Sequence, residues 1–182
     1  MWHGSGDRCG VDIAFVRLER GLRMMAWFGG ISNKRKRIVA GAIGGLAGSA
    51  AYSVAQHFDM KVLDHNTDDF LLLGTLMPVD DDLARPLGAV MHFGNGALLG
   101  IAYALIGRDR LPGSPFARGM TWTMMETFGL YPMALLEKLH PAIRDGRLES
   151  YLSGKGFAQQ LVRHIAYGAV LGPVTDRFLE ES

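Results

Sequence analysis

His92–Gly100 reads HFGNGALLG and His164–Gly172 reads HIAYGAVLG, so the pattern His-x-x-x-Gly-Ala-x-Leu-Gly occurs twice, 72 residues apart. Each copy lies in a long, poorly charged segment. On a helix the i, i+4, i+8 spacing puts His92, Gly96 and Gly100 on one face, and His164, Gly168 and Gly172 on one face of another. A histidine followed by glycines on a single stripe describes a helix that packs closely on its neighbour and holds one polar group against it. The repeat therefore predicts an all-α protein.

The segments around it set the architecture. Residues 38–58 and 86–107 carry no formal charge, and about 20 apolar residues at roughly 1.5 Å each cross a bilayer core of about 30 Å. Residues 116–136 form a third such segment with Glu126 near its middle and Pro132 as an expected kink. Residues 157–175 form a fourth, with Gln159, Gln160, Arg163 and His164 crowding its first half. The expectation is a four-transmembrane-helix bundle over residues 36–178, preceded by an extension at 1–35 and followed by a short tail at 179–182. In the first span Gly41 and Gly45, and Gly44 and Gly48, make overlapping small-x-x-x-small pairs, which permit close helix approach in lipid and would cost helix stability in water. The same faces suit a homo-oligomer or a larger membrane complex.

The remaining stretches are polar. Asp59–Arg85 holds seven aspartates, at 59, 64, 68, 69, 80, 81 and 82, against Lys61 and Arg85. It reads as a solvated acidic loop, because the Asp-x-Asx-x-Asx-Gly spacing of a calcium loop is absent. Inside it Phe70–Met77 is too short to span, is ended by Pro78, and is expected to rest as a helical turn or two at the membrane surface. Lys34–Arg37, Arg108, Arg110, Arg118 and Arg177 cluster at the opposite ends of the spans, which puts both termini on the cytoplasmic side of a prokaryotic inner membrane. Before the first span Val11, Phe15, Leu18, Leu22 and Met25 recur at helical spacing among Arg17, Glu19, Arg20 and Arg23, as in a basic amphipathic helix lying on an anionic surface. Packing on another protein, or translation from Met24 or Met25, are the alternatives for that stretch. The first 30 residues lack the uninterrupted apolar core of a secretory signal.

The four-span order gives the repeat a meaning. The second and fourth spans run in the same direction, so two duplicated helix hairpins would be related by an axis along the membrane normal. Aligning the first span with the third needs a different offset, near 78, and matches little beyond Ala40-Gly41 with Arg118-Gly119.

Function is less legible. A net charge of +1 offers no basic excess for nucleic acid. Cys9 is the only cysteine, which excludes a disulfide framework. Phosphate-cradling loops, HExxH and nucleophile elbows are absent, so no residue is assigned a catalytic role. Ionisable groups inside a span usually face the bundle interior and pair. On that ground His92, Glu126, Arg163 and His164 are expected to form an intramembrane polar cluster that fixes helix packing, with Glu126 paired to Arg163. Two sharper readings use the same residues. His92 and His164 could supply axial nitrogens to a haem between the second and fourth spans, Gly96, Gly100, Gly168 and Gly172 making room for it. Glu126 with the histidines could form a proton or ion path. Met120, Met124 and Met125 are better explained by packing than as thioether ligands for copper.

The combination of a glycine-rich first helix (AGAIGGLAGSAAYS, 40–53) with His-plus-glycine helices in second and fourth place (HFGNGALLGIAYAL, 92–105; HIAYGAVLG, 164–172) resembles the YagU-like group of small prokaryotic inner-membrane proteins. The likeness covers about residues 36–178. It implies a membrane location and brings no catalytic residue. The sequence therefore points to a non-enzymatic structural or accessory membrane component without an expected cofactor, with an ion-coupled transporter or haem module as alternatives.

Overall fold

The computed structural model describes the backbone of residues 8–181 and the side chains of residues 33–181 apart from Asp81. Every regular element among the described residues is a helix. They are α1 (Arg8–Leu63), α2 (Asp69–Gly74), α3 (Asp81–Ala102), α4 (Pro115–Leu130), α5 (Pro141–Arg144) and α6 (Gly154–Glu180). A π-helical turn, Tyr103–Gly107, extends α3, and 3-10 turns, Tyr131–Leu139, extend α4. The chain divides into two units, residues 1–36 and 37–182. In the first, the described backbone is helical; the amphipathic face expected of Val11, Phe15, Leu18, Leu22 and Met25 lies outside the described side chains. Two helical stretches, Asn33–Leu63 and Asp82–Gly107, are long and apolar enough to cross a membrane.

Element ends follow local chemistry. Ser114 and Ser153 cap α4 and α6, their hydroxyl oxygens accepting from the N–H of Ala117 and of Gly156. With that cap, α6 starts three residues before the expected boundary and runs on to Glu180. The expected span 116–136 is not one α-helix. Pro132 has no N–H to return to the carbonyl one turn back, so the α geometry stops at Leu130 and tightens to 3-10 turns. The basic run 34–37 does not interrupt α1, since lysine and arginine are good helix formers.

Glycine sets how closely the long helices approach. A Cβ on Gly45 would overlap the Gly96 carbonyl, and one on Gly41 would overlap the Gly100 carbonyl and Ala104, so α1 lies directly on α3. Gly119 meets Gly168 and Gly172 in the same way, joining α4 to α6, while Thr123 lies against Gly168. Gly44 and Gly48 make room for Thr175, Leu171 and Tyr167, joining α1 to α6. The buried apolar centre of these helices is small: Tyr52, Tyr103, Tyr167 and Leu171, with Trp122 beside them. Around it the interior is polar, with Ser49, Thr123, Gln159, Arg163 and Thr175 fully enclosed. The outward faces are apolar instead: Val54 on α1, Val90 and Leu98 on α3, Met125 and Phe128 on α4, and Val162 on α6 are all exposed.

Ion pairs close one end and hydrogen bonds the other. At one, Arg37 donates to Asp109 at 2.5 Å and to the Ala104 carbonyl at 3.3 Å. Asp176 accepts from Arg108 and, at 2.8 Å, from Arg118. The Arg37 guanidinium, through its hydrogen bond, holds the Asp109 carboxyl below the usual carboxylate range. At the other end the segment 64–69 is tied to the segment 147–153: Asn66 Nδ2 donates to the Arg147 carbonyl at 3.0 Å, and its N–H donates to Glu149. That contact holds the Glu149 carboxyl below its usual range as well.

The acidic stretch departs from expectation. Of its aspartates, Asp59, Asp68 and Asp69 are buried rather than solvated. Asp68 caps α2, its Oδ1 accepting from Phe70 and Leu71 N–H groups at 3.0 and 3.3 Å while Oδ2 accepts from Arg85. Nor does the Phe70–Met77 stretch simply rest on a surface. Gly74 and Gly88 let α2 press onto α3, and Leu71 is buried with Ala84, Ala142 and Leu148. Net charge along the chain could not reveal this, because Asp59 and Asp69 answer donors far away in sequence.

Candidate functional site

Arg163 is the centre of the site. It lies in the first half of α6 and its side chain is fully enclosed. Nε and Nη2 donate to the two oxygens of Asp59 at 2.7 and 2.6 Å, a bidentate pair across to the end of α1. Nη1 donates to Asp69 at 2.9 Å and to the Thr67 carbonyl at 2.7 Å, and Nη2 also reaches the Thr67 hydroxyl at 3.0 Å. Gln159, one turn earlier on α6, donates to Asp59 at 3.0 Å and to the His65 carbonyl at 2.9 Å, and accepts from Thr67 at 2.6 Å. The expected Glu126–Arg163 pair is therefore replaced. Arg163 is satisfied by two aspartates of the acidic stretch, which are carried to it by the end of α1 and the start of α2.

Asp69 links this cluster to an aromatic layer. Its oxygens accept from Tyr52 at 2.6 Å and from Tyr151 at 2.9 Å as well as from Arg163. Burial, reinforced by the Asp69 charge, pushes the Tyr151 hydroxyl well above the usual phenol range, so it remains a donor. The Tyr52 ring then touches both repeat histidines, with centroids 4.8 Å from His92 and 5.2 Å from His164. His164 Nδ1 lies 2.8 Å from the Gln160 carbonyl, which fixes the N–H there and leaves Nε2 with its lone pair. His92 Nε2 is buried without a hydrogen-bond partner among the described residues. Tyr167, from the second copy of the repeat, donates at 2.8 Å to the carbonyl of Gly96 in the first.

These side chains form the polar floor of a cavity of about 620 Å³. Tyr52, Asp69, His92, Glu126, His164 and Tyr167 face it, and leucines from α2, α3, α4 and the 3-10 turns, with Met133, make up much of the apolar part of its wall. Glu126 makes no hydrogen bond and no ion pair among the described residues. Glu137, also on the wall, is held by Ser150 Oγ at 2.5 Å and by the N–H groups of Tyr151 and Leu152. Burial pulls the His140 imidazole, on the same wall, below its usual value and favours the uncharged ring.

Of the four residues expected to cluster, His92, Glu126 and His164 share the cavity, while Arg163 sits behind its floor. A Cβ on Gly96, Gly100, Gly168 or Gly172 would meet a neighbouring helix. Tyr52, Asp59, Asp69, Tyr151 and Gln159 were not expected at the site. A signal for part of them is present: Ser49, Tyr52, Gln56 and Asp59 fall on one helical stripe of the first span. The described residues contain no group of three or more His, Cys, Asp or Glu placed to hold a metal ion. A haem between His92 and His164 would need space that the Tyr52 ring shares with both imidazoles.

A helical chain with glycine-seamed helices, a charged core and a cavity with a polar floor is the class that this fold and site define. Residues 35–182 match the model described as "Family of unknown function (DUF6789)", and the chain belongs to that family. No curated protein and no solved structure matches it significantly.

Proposed function

We propose that this is an integral membrane protein crossing the cytoplasmic membrane of a prokaryote four times, with both termini inside, and that it is a non-enzymatic binding component. Its helices form a fixed frame, and the cavity takes a small molecule with an apolar body. The single observation that carries this reading is the inverted distribution of polarity. Arginine, glutamine and threonine are enclosed, whereas valine, leucine and phenylalanine on α1, α3, α4 and α6 are exposed. In water such faces would be a large unsatisfied apolar surface; in lipid they are the surface that the solvent requires, and polar groups belong inside. The spans are the expected segments 38–58, 86–107, 116–136 and 157–175. The third is completed by the 3-10 turns Tyr131–Leu139.

The two hairpins of the repeat gain support from the helix contacts. Gly41 meets Gly100 and Gly119 meets Gly172; Gly45 meets Gly96 and Thr123 meets Gly168. Each second pair follows from the first by the same two offsets, 78 and 72 residues, that the sequence alone suggests. A duplicated α1–α3 hairpin accounts for both offsets.

A second reading, proton or ion movement through Glu126, His92 and His164, is favoured by one observation, that all three face a single cavity. The two readings and the haem alternative separate on protein extracted from membranes in mild detergent. Solvent extraction and mass spectrometry of that preparation are expected to release a small apolar compound. The Ala134→Trp variant, which places an indole in the cavity, is expected to release far less of it. Ligand-free protein that nevertheless moves protons in vesicles would favour the ion path, and a Soret band lost in His92→Ala would favour haem.

A further inference from the structure

We propose that the cavity selects a lipophilic monocation, an organic amine or onium compound whose charge sits beside Glu126. The proposal rests on the reading of the cavity as a ligand site and adds the charge of the ligand.

The charge of the wall carries it. Three carboxylates, Asp69, Glu126 and Glu137, face the cavity, and no lysine or arginine among the described residues does. The three differ in what they have to spare. Asp69 is neutralised from behind by Arg163 at 2.9 Å and accepts from two tyrosines besides. Glu137 is engaged by Ser150 and by two backbone N–H groups. Glu126 has no donor and no cation among the described residues, and it shares the cavity with a wall rich in leucine.

A carboxylate facing a low-dielectric space without a partner is costly, and the cost is removed by a proton or by a cation brought to it. An anionic ligand would meet three carboxylates, and a neutral one would leave Glu126 as it was. A metal ion would bring one free carboxylate a hard cation and leave most of the leucine-lined volume unused. A compact positive charge inside an apolar shell satisfies both parts of the wall at once. Tyr131 and Tyr167, which also face the cavity, add aromatic surface of the kind that attracts organic cations.

The test uses two ions of nearly the same shape and opposite charge, tetraphenylphosphonium and tetraphenylborate, with triphenylphosphine oxide as the neutral probe. Binding to the full chain in a non-ionic detergent is followed by titration calorimetry, with protein-free micelles subtracted. The expected result is saturable binding of the phosphonium, about ten-fold or more tighter than the borate or the neutral probe. Glu126→Gln, which keeps the side-chain shape, is expected to weaken the phosphonium about ten-fold while binding of the neutral probe stays within about two-fold. Retained neutral binding also reports that the variant is folded. Equal binding of all three probes, or an unchanged phosphonium affinity in Glu126→Gln, would overturn cation selection and leave the cavity as a ligand site. Failure of every probe to bind would overturn both.

Discussion

Arg163→Leu is expected to destabilise the protein by about 3–5 kcal/mol, the cost of breaking a buried ion pair from one side. Leucine leaves Asp59 and Asp69 enclosed together with no cation between them. The loss exceeds the direct contacts, because Arg163 also satisfies the Thr67 carbonyl and hydroxyl and so fixes the start of α2. Thermal melting of the purified protein in detergent measures the effect, and poor accumulation in membranes is its expected cellular sign. Arg163→Lys should recover part of the stability. A lysine restores the charge, but its ammonium cannot grip Asp59 through two parallel bonds and reach Asp69 as well. The double change Arg163→Leu with Asp59→Leu is expected to be less damaging than Arg163→Leu alone. Were Arg163→Leu as stable as the parent, the polar centre would be dispensable to the fold.

Gly45→Leu is expected to cost about 3 kcal/mol or more, since even its first carbon collides with a backbone carbonyl that has no rotamer to move. The seam between α1 and α3 must open, and with it the layer of Tyr52 and His92 that depends on their spacing. Gly94→Ala and Gly129→Ala are the matched controls. A Cβ at either position meets nothing within 4 Å, so each is expected to be neutral or, by helix propensity, up to about 1 kcal/mol stabilising. A measured ranking in which Gly94→Ala is as harmful as Gly45→Leu would contradict the assigned helix faces.

The difference between these glycines was legible in the sequence, and so was much of the helical frame. The 4-residue spacing of Gly41 with Gly45 and of Gly96 with Gly100 is a local property of one helix, and it survives into the contacts unchanged. The site was legible only where its signal was likewise local. His92 and His164 stand out because each opens a glycine stripe, and Glu126 because charge is scarce around it. The partners of Arg163 were hidden for a physical reason. Asp59 and Asp69 belong to a stretch whose composition reads as solvated, and only the return of α6 across the end of α1 turns them inward. Pro132 illustrates a milder case. Its effect was foreseen as a kink, but whether a helix with a missing N–H bends or tightens depends on its neighbours, and here it tightens.

Crossing the membrane four times is the claim on which the rest stands, and side-specific cysteine labelling in intact cells tests it most directly. Cys9 is the only cysteine, so Cys9→Ser gives a silent background. Into it single cysteines are placed at the exposed positions Asp82, Arg110, Asp145 and Glu181. With four spans and both termini inside, Asp82→Cys and Asp145→Cys should react with a membrane-impermeant maleimide from outside. Arg110→Cys and Glu181→Cys should react only after lysis. Labelling of Arg110→Cys from outside, or labelling of Asp82→Cys and Asp145→Cys from opposite sides, would contradict the four-span account.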